Sequence, residues 1–168
     1  MNSSAPSASQ RLHSSGRVFQ ISISTGGVPK RAVPSARVTV NGIEGDAQAN
    51  TKHHGGPERA VCLFSINVIR RLQAEGHPIA PGTIGENLTI EGIDWSQVVP
   101  GSRFEFDGGV VLEVTKFTTP CATIRDSFTD LEFRRVKEEL HPGESRVYAR
   151  VIEEGPISTG ARLMHSLR

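Results

Sequence analysis

The apolar residues of this chain come in short alternating runs, each closed by glycine or proline before a helix-length stripe can develop. VFQISIS (18–24) sets Phe19, Ile21 and Ile23 on one side, the period-two pattern of a half-buried strand. ARVTVNG (36–42) repeats it with Val38 and Val40 and ends in Asn-Gly, a tight-turn pair. RAVCLFS (59–65) is apolar without alternation, which predicts a strand buried on both faces. Further strands are expected at ENLTIEG (86–92), SRFEFDG (102–108), VVLEVTK (110–116), SRVYARVIEEG (145–155) and ARLMHSL (161–167).

Two segments carry the helical period instead. After Ser65 as N-cap, Ile66, Ile69 and Leu72 share a face, and Gly76 ends the helix. Thr129-x-x-Glu132 forms a capping box ahead of Leu131, Phe133, Val136 and Leu140, with a stop at Pro142-Gly143. About eight strands with two helices do not alternate as a doubly wound fold requires. The expectation is a mostly β, barrel-like fold with two peripheral helices.

At 168 residues the chain suits one domain with its own core. The Ser-rich, acid-free residues 1–16 are expected to be a disordered tail, leaving a domain over 17–168. Nineteen basic against eighteen acidic residues supply no global field for nucleic acid or an anionic membrane. No apolar run approaches the roughly 18–20 residues of a membrane span, and nothing resembles a secretory signal. A cytoplasmic, reducing setting follows, in which the two cysteines stay unpaired.

Three stretches interrupt this scaffold with chemistry-bearing residues. GDAQANTKHHGGPERAV (45–61) gathers Lys52, His53, His54 and Arg59 around a Gly-Gly-Pro turn, which suits an anionic group such as phosphate and equally suits a solvated loop. Adjacent histidines on extended backbone point to opposite sides, and no CxxC or HExxH spacing supports a zinc site. In PGTIGENLTIEG (81–92), Glu86 and Asn87 stand at a strand mouth, where Asn87 could read a heterocycle edge or brace the turn. KFTTPCATI (116–124) ends a strand at Cys121, behind Pro120, among Thr118, Thr119 and Thr123, with Arg125 four residues on. Hydroxyls and a cation favour a thiolate, the form that attacks electrophiles or ligates a soft metal. Cys62, inside AVCLF, suits packing instead.

Together EGDAQANTKHHGGPERAVCLFS, PGTIGENLTIEGIDW, GSRFEFDGGVVLEVTKFTTPCATI and YARVIEEGPISTGARL, in that order, resemble the MOSC domain, the module named after the C-terminal part of molybdenum-cofactor sulfurases. The resemblance spans about 17–166 and implies a β-barrel-like fold with a role centred on one cysteine, which falls on Cys121. It implies the molybdenum cofactor, a molybdopterin, with Cys121 as metal ligand. Asn87 and Thr119 would be contacts to the pterin, and Lys52, His53, His54 and Arg59 would be candidates for its phosphate. The implied reaction is reduction of N-hydroxylated compounds with electrons from a partner reductase.

Two alternatives stand beside it: a sulfur carrier that forms a persulfide on Cys121 with a cysteine desulfurase, and a non-catalytic barrel that binds a phosphorylated ligand through 45–59. The pyridoxal-phosphate domain of the sulfurases has no counterpart here, so that cofactor is not expected. The run Phe117-Thr118-Thr119-Pro120-Cys121 lacks an arginine that many members carry near the thiol, and Gly160-Ala161 stands where Gly-Asp is usual. An enclosed cofactor site would accordingly call for a homodimer or another partner chain.

Overall fold

The alternating runs form strands in a computed structural model that describes residues 13–47 and 55–168. In chain order they are β1 (His13–Ile23), β2 (Arg31–Val33), β3 (Ser35–Thr39), β4 (Gly42–Ile43), β5 (Val61–Ser65), β6 (Leu88–Glu91), β7 (Arg103–Phe106), β8 (Val111–Phe117), β9 (Val147–Glu153), β10 (Gly155–Ser158) and β11 (Arg162–Ser166). One α-helix, α1 (Ile66–Ala74), follows β5 directly. The mostly β, barrel-like expectation holds. Seven strands close in the order β11–β7–β8–β9–β5–β6–β1, with β1 returning to β11. Closure removes the sheet edge that would otherwise invite pairing with another chain. β2 hangs on β1 outside the ring, and β10–β3–β4 form a small second sheet.

β1 closes the ring because it is long enough to serve two neighbours. His13–Arg17 pair with β11, and Arg17–Ile21 pair with β6 across a bulge at Val18/Gln20. The strand therefore begins at His13, four residues inside the stretch expected as tail. Gly16 permits the close approach, since a Cβ there would sit 2.3 Å from the Glu91 carbonyl oxygen. β5 and β6 are parallel, and α1 makes the crossover between them. Ser65 caps α1 by accepting from the Asn67 and Val68 amides, while Ile66, Val68, Ile69 and Leu72 are buried. All five residues of β5 are buried, as its unbroken apolar run predicted. Phe64, Trp95, Phe104 and Phe106 carry an aromatic row through the core, with ring centroids 6.3–6.4 Å apart.

Two expectations change. The second helical segment lies where expected on the periphery, but it is a string of 3-10 turns, Thr129–Leu131 and Phe133–Val136, rather than one amphipathic α-helix. Thr129 does not cap. Its amide donates to His77 Nδ1 (3.0 Å) and its hydroxyl to the Gly76 carbonyl (2.9 Å). Asp130 and Leu131 turn left-handed (φ 56° and 59°), and Leu131 and Leu140 point to solvent. Tertiary hydrogen bonds to the end of α1 thus outweigh a local pattern whose stripe is too broken to bury. Val40 likewise leaves the buried face of Val38, because β3 ends at Thr39. No helix among the described residues is long and apolar enough to cross a membrane.

Candidate functional site

β8 and β9 pair up to Phe117 and Val147, and the Thr118 amide extends the ladder one step by donating to the Arg146 carbonyl (2.9 Å). Pro120 is buried and has no amide hydrogen, so pairing stops. Cys121 emerges beyond it on extended backbone (φ −131°, ψ 168°), exposed, ahead of the 3-10 turn Ala122–Ser127. Its Sγ lies 2.8 Å from the Thr123 hydroxyl. That hydrogen bond, the Thr123 amide and the Arg146 charge hold the thiol below its ordinary range, against partial burial. Thr119 is exposed beside it.

Cys62 behaves oppositely. It is buried in β5, and burial pushes its thiol up despite the positive charge of Arg146. Both cysteines are free. Cys62 stands opposite Tyr148 on β9, and Lys116 of β8 stands opposite the same tyrosine. Arg146, Tyr148 and Arg150 share one face by the period of two. The Tyr148 ring receives the Arg59 guanidinium at 5.8 Å and the Lys116 ammonium at 6.0 Å. Burial raises the phenol above its ordinary range, and the charges of Cys62, Arg146, Arg59 and Cys121 all reach it. Cys62, Arg59, Lys116 and Arg146 therefore gather around Tyr148, and the charge of Cys121 reaches it as well.

The turn Pro57–Arg59 is fastened to this face. Thr115 donates its hydroxyl to the Glu58 carbonyl (2.6 Å), and Arg150 pairs with the Glu58 carboxylate (3.7 Å). Arg59 is thereby held over the Tyr148 ring. Lys52, His53 and His54 lie outside the described residues.

Asn87 and Glu86 reach the same region from below, and both are fully buried. Asn87 Oδ1 accepts from the Cys62 amide (3.1 Å), and its Nδ2 donates to Asp46 Oδ2 (3.0 Å) and the Ser22 carbonyl (3.3 Å). The amide is thus committed to joining three segments. Glu86 Oε1 accepts from the Gly82 amide (2.6 Å) and the Thr89 hydroxyl (3.2 Å), while Oε2 has no donor. Burial lifts this carboxyl above its ordinary range.

Sequence reasoning missed Arg146 and Tyr148. Alternation in SRVYARV separates Arg146, Tyr148 and Arg150 from Val147, Ala149 and Val151, but only strand order reveals what flanks them. Arg125, the cation closest to Cys121 in sequence, is exposed and lies near Asp126 (3.9 Å). Arg146 takes the role proposed for it. A separate groove of about 600 Å³, lined by Arg17, Glu91, Glu105, Asp107, Arg162 and Met164 among others, shares no residue with the Cys121 face. Among the described residues, no three His, Cys, Asp or Glu side chains cluster as a metal site.

Residues 50–164 match the model of the MOSC domain. YflK of Bacillus subtilis (strain 168), described as uncharacterized, is 34% identical over 139 residues, covering 82% of this chain and 62% of YflK. A Gibberella moniliformis protein named reductase is 29% identical over 126 residues, covering 73% of this chain and 22% of the reductase. The chain thus spans less than two thirds of either relative. In fold it is similar to the crystal structure of YuaD from Bacillus subtilis, with TM-score 0.74 at 18% identity over 95% of this chain and all of that one.

Proposed function

Since the chain belongs to the MOSC domain family, we propose that it binds the molybdenum cofactor through Cys121 and, with a partner reductase, supports reduction of N-hydroxylated compounds. One observation carries this reading: Cys121 is an exposed thiol, held toward the thiolate by Thr123 and Arg146, and its charge reaches the Tyr148 ring that Arg59 and Lys116 cover. The residues fit such a group. A thiolate is a suitable soft ligand for molybdenum, and Arg146, whose charge reaches Cys121, keeps a buried Nε without a hydrogen-bond partner. The cofactor supplies two-electron redox chemistry when bound. Cys121 would be the metal ligand, and Thr119 and Arg59 would line the pterin and its phosphate together with Lys52, His53 and His54. Asn87 would act by holding Cys62, Ser22 and Asp46 in register beneath the face.

Reduction of an N-hydroxylated amine to the amine and water consumes two electrons and two protons. The electrons are assigned to the partner reductase. We place the protein in the cytoplasm, where Cys121 stays reduced. The experiment is to isolate the protein from a molybdopterin-producing host and measure molybdenum and pterin in wild type and Cys121→Ala. Loading in the wild type that the variant loses is expected; equal or near-zero loading in both rejects the reading.

The same exposed, acidified thiol favours one second reading, a sulfur carrier. A cysteine desulfurase with cysteine as donor would transfer sulfane sulfur to the Cys121 thiolate, leaving alanine and a Cys121 persulfide. Mass spectrometry after that incubation decides it, by a gain of one sulfur atom confined to Cys121 or by its absence.

A further inference from the structure

Arg146 is the cation whose surroundings least explain it. Its side chain belongs to a residue only 7% exposed. Every Asp and Glu of the chain lies within the described residues, yet none of their ion pairs involves Arg146. Of its five N–H groups, one has an acceptor among the described residues: Nη1 donates to the Ile84 carbonyl at 2.5 Å. Nε is buried with no acceptor, and the hydroxyl of Thr118, whose backbone is paired to that of Arg146, is buried with only the Cys62 thiol in reach. Glu86 feels the charge but does not pair with it, and its own carboxyl favours the neutral form.

Guanidinium cannot shed its proton to escape burial. An uncompensated buried charge is among the most destabilising features a fold can carry. A clamp on Ile84 would need one neutral donor, which glutamine supplies without the charge. The surroundings add to the asymmetry. Arg59 and Lys116 sit over the neighbouring Tyr148, while Glu58, the carboxylate of that turn, is engaged by Arg150.

We propose that Arg146 is the anion anchor of the site, receiving with the Thr118 hydroxyl a tetrahedral oxyanion group, phosphate or metal-oxo, of the ligand that seats on Cys121. The inference rests on the reading of Cys121 as the ligand-holding residue, but an anchor for phosphate does not require sulfur, and this separates the two. A fork of N–H donors beside a hydroxyl matches the geometry of a tetrahedral oxyanion.

The test is thermal melting of the full chain, produced in a host unable to make the pterin, with inorganic phosphate or molybdate added. At a hundredfold excess over Kd, either anion should raise the Tm of the wild type by roughly 5–10 °C. Arg146→Met should lose both shifts, and without anions it should melt no lower than the wild type, because it discards an unpaired buried charge. If Arg146→Met does not fold, Arg146→Gln, which can still donate to Ile84, is judged by loss of the same shifts. Cys121→Ala should keep the phosphate shift and lose any extra effect of molybdate. Persistence of the phosphate shift without Arg146, or no shift in the wild type, overturns the anchor. A molybdate shift no larger than that of phosphate, and insensitive to Cys121→Ala, supports the anchor and counts against the metal–thiolate reading.

Discussion

Replacing Asn87 with alanine removes three hydrogen bonds from a fully buried side chain, and the cost can be worked from what each partner loses. The Cys62 amide keeps no acceptor, and an orphaned buried amide costs about 1–3 kcal/mol. Asp46 loses a hydrogen bond to an ionised group, worth about 1.5–3 kcal/mol, but keeps Lys30 Nζ at 2.7–2.8 Å and the Ser24 amide at 2.9 Å. The Ser22 carbonyl loses a long hydrogen bond, at 3.3 Å. The sum is about 3–5 kcal/mol, in the upper tail for single substitutions. With a urea slope near 2 kcal/mol/M, the midpoint should fall by roughly 1.5–2.5 M at unchanged slope. A loss below about 1 kcal/mol would refute the view that Asn87 binds β1, β5 and the Asp46 turn together. A variant of normal stability whose pterin content falls would instead make Asn87 a direct cofactor contact.

Two further outcomes follow from buried polar groups. Glu86 is raised above its ordinary value of 4.5, so the folded state holds this proton more tightly than the unfolded chain. Its contribution is whole below about pH 4.5 and drains away as pH rises through the folded pKa. Glu86→Gln keeps an acceptor for Gly82 and Thr89 without a proton to lose, so denaturation from pH 5 to 8 should show a flatter decline than the wild type; parallel curves would contradict this. Ser65→Ala removes the cap shared by the Asn67 and Val68 amides and should cost about 1 kcal/mol. Faster amide exchange should be confined to the first turn of α1, and unchanged exchange there would count against the cap.

Much of the barrel is visible in the order of residues. Alternation over 18–24, 102–106 and 110–116 places β1, β7 and β8, and the unbroken apolar run at 61–64 marks the most buried strand. Side-chain period is local, so it survives without knowledge of partners. The contrast between the cysteines is legible for the same reason: Cys62 has apolar neighbours, whereas Cys121 follows a ladder-breaking proline. The short strands β2 and β4 escape notice because two or three residues carry no period, and β10 because it opens on Gly155-Pro156, which reads as a turn. The capping box at Thr129 misleads because Gly76 and His77 offer its hydrogen bonds a better destination.

The sequence by itself determined a strand-rich chain with one thiol presented and one enclosed, since each of these depends on neighbours within a few positions. Only the tertiary structure decided what stands around that thiol. The β8–β9–β5 pairing brings Arg146 and Tyr148, 25 and 27 positions on, within electrostatic reach of Cys121, and Arg59 onto the Tyr148 ring. Arg146, just ahead of the strand paired beside the FTTPC run, puts a positive charge within reach of Cys121. Such contacts follow from strand order and register, which a period of two leaves open.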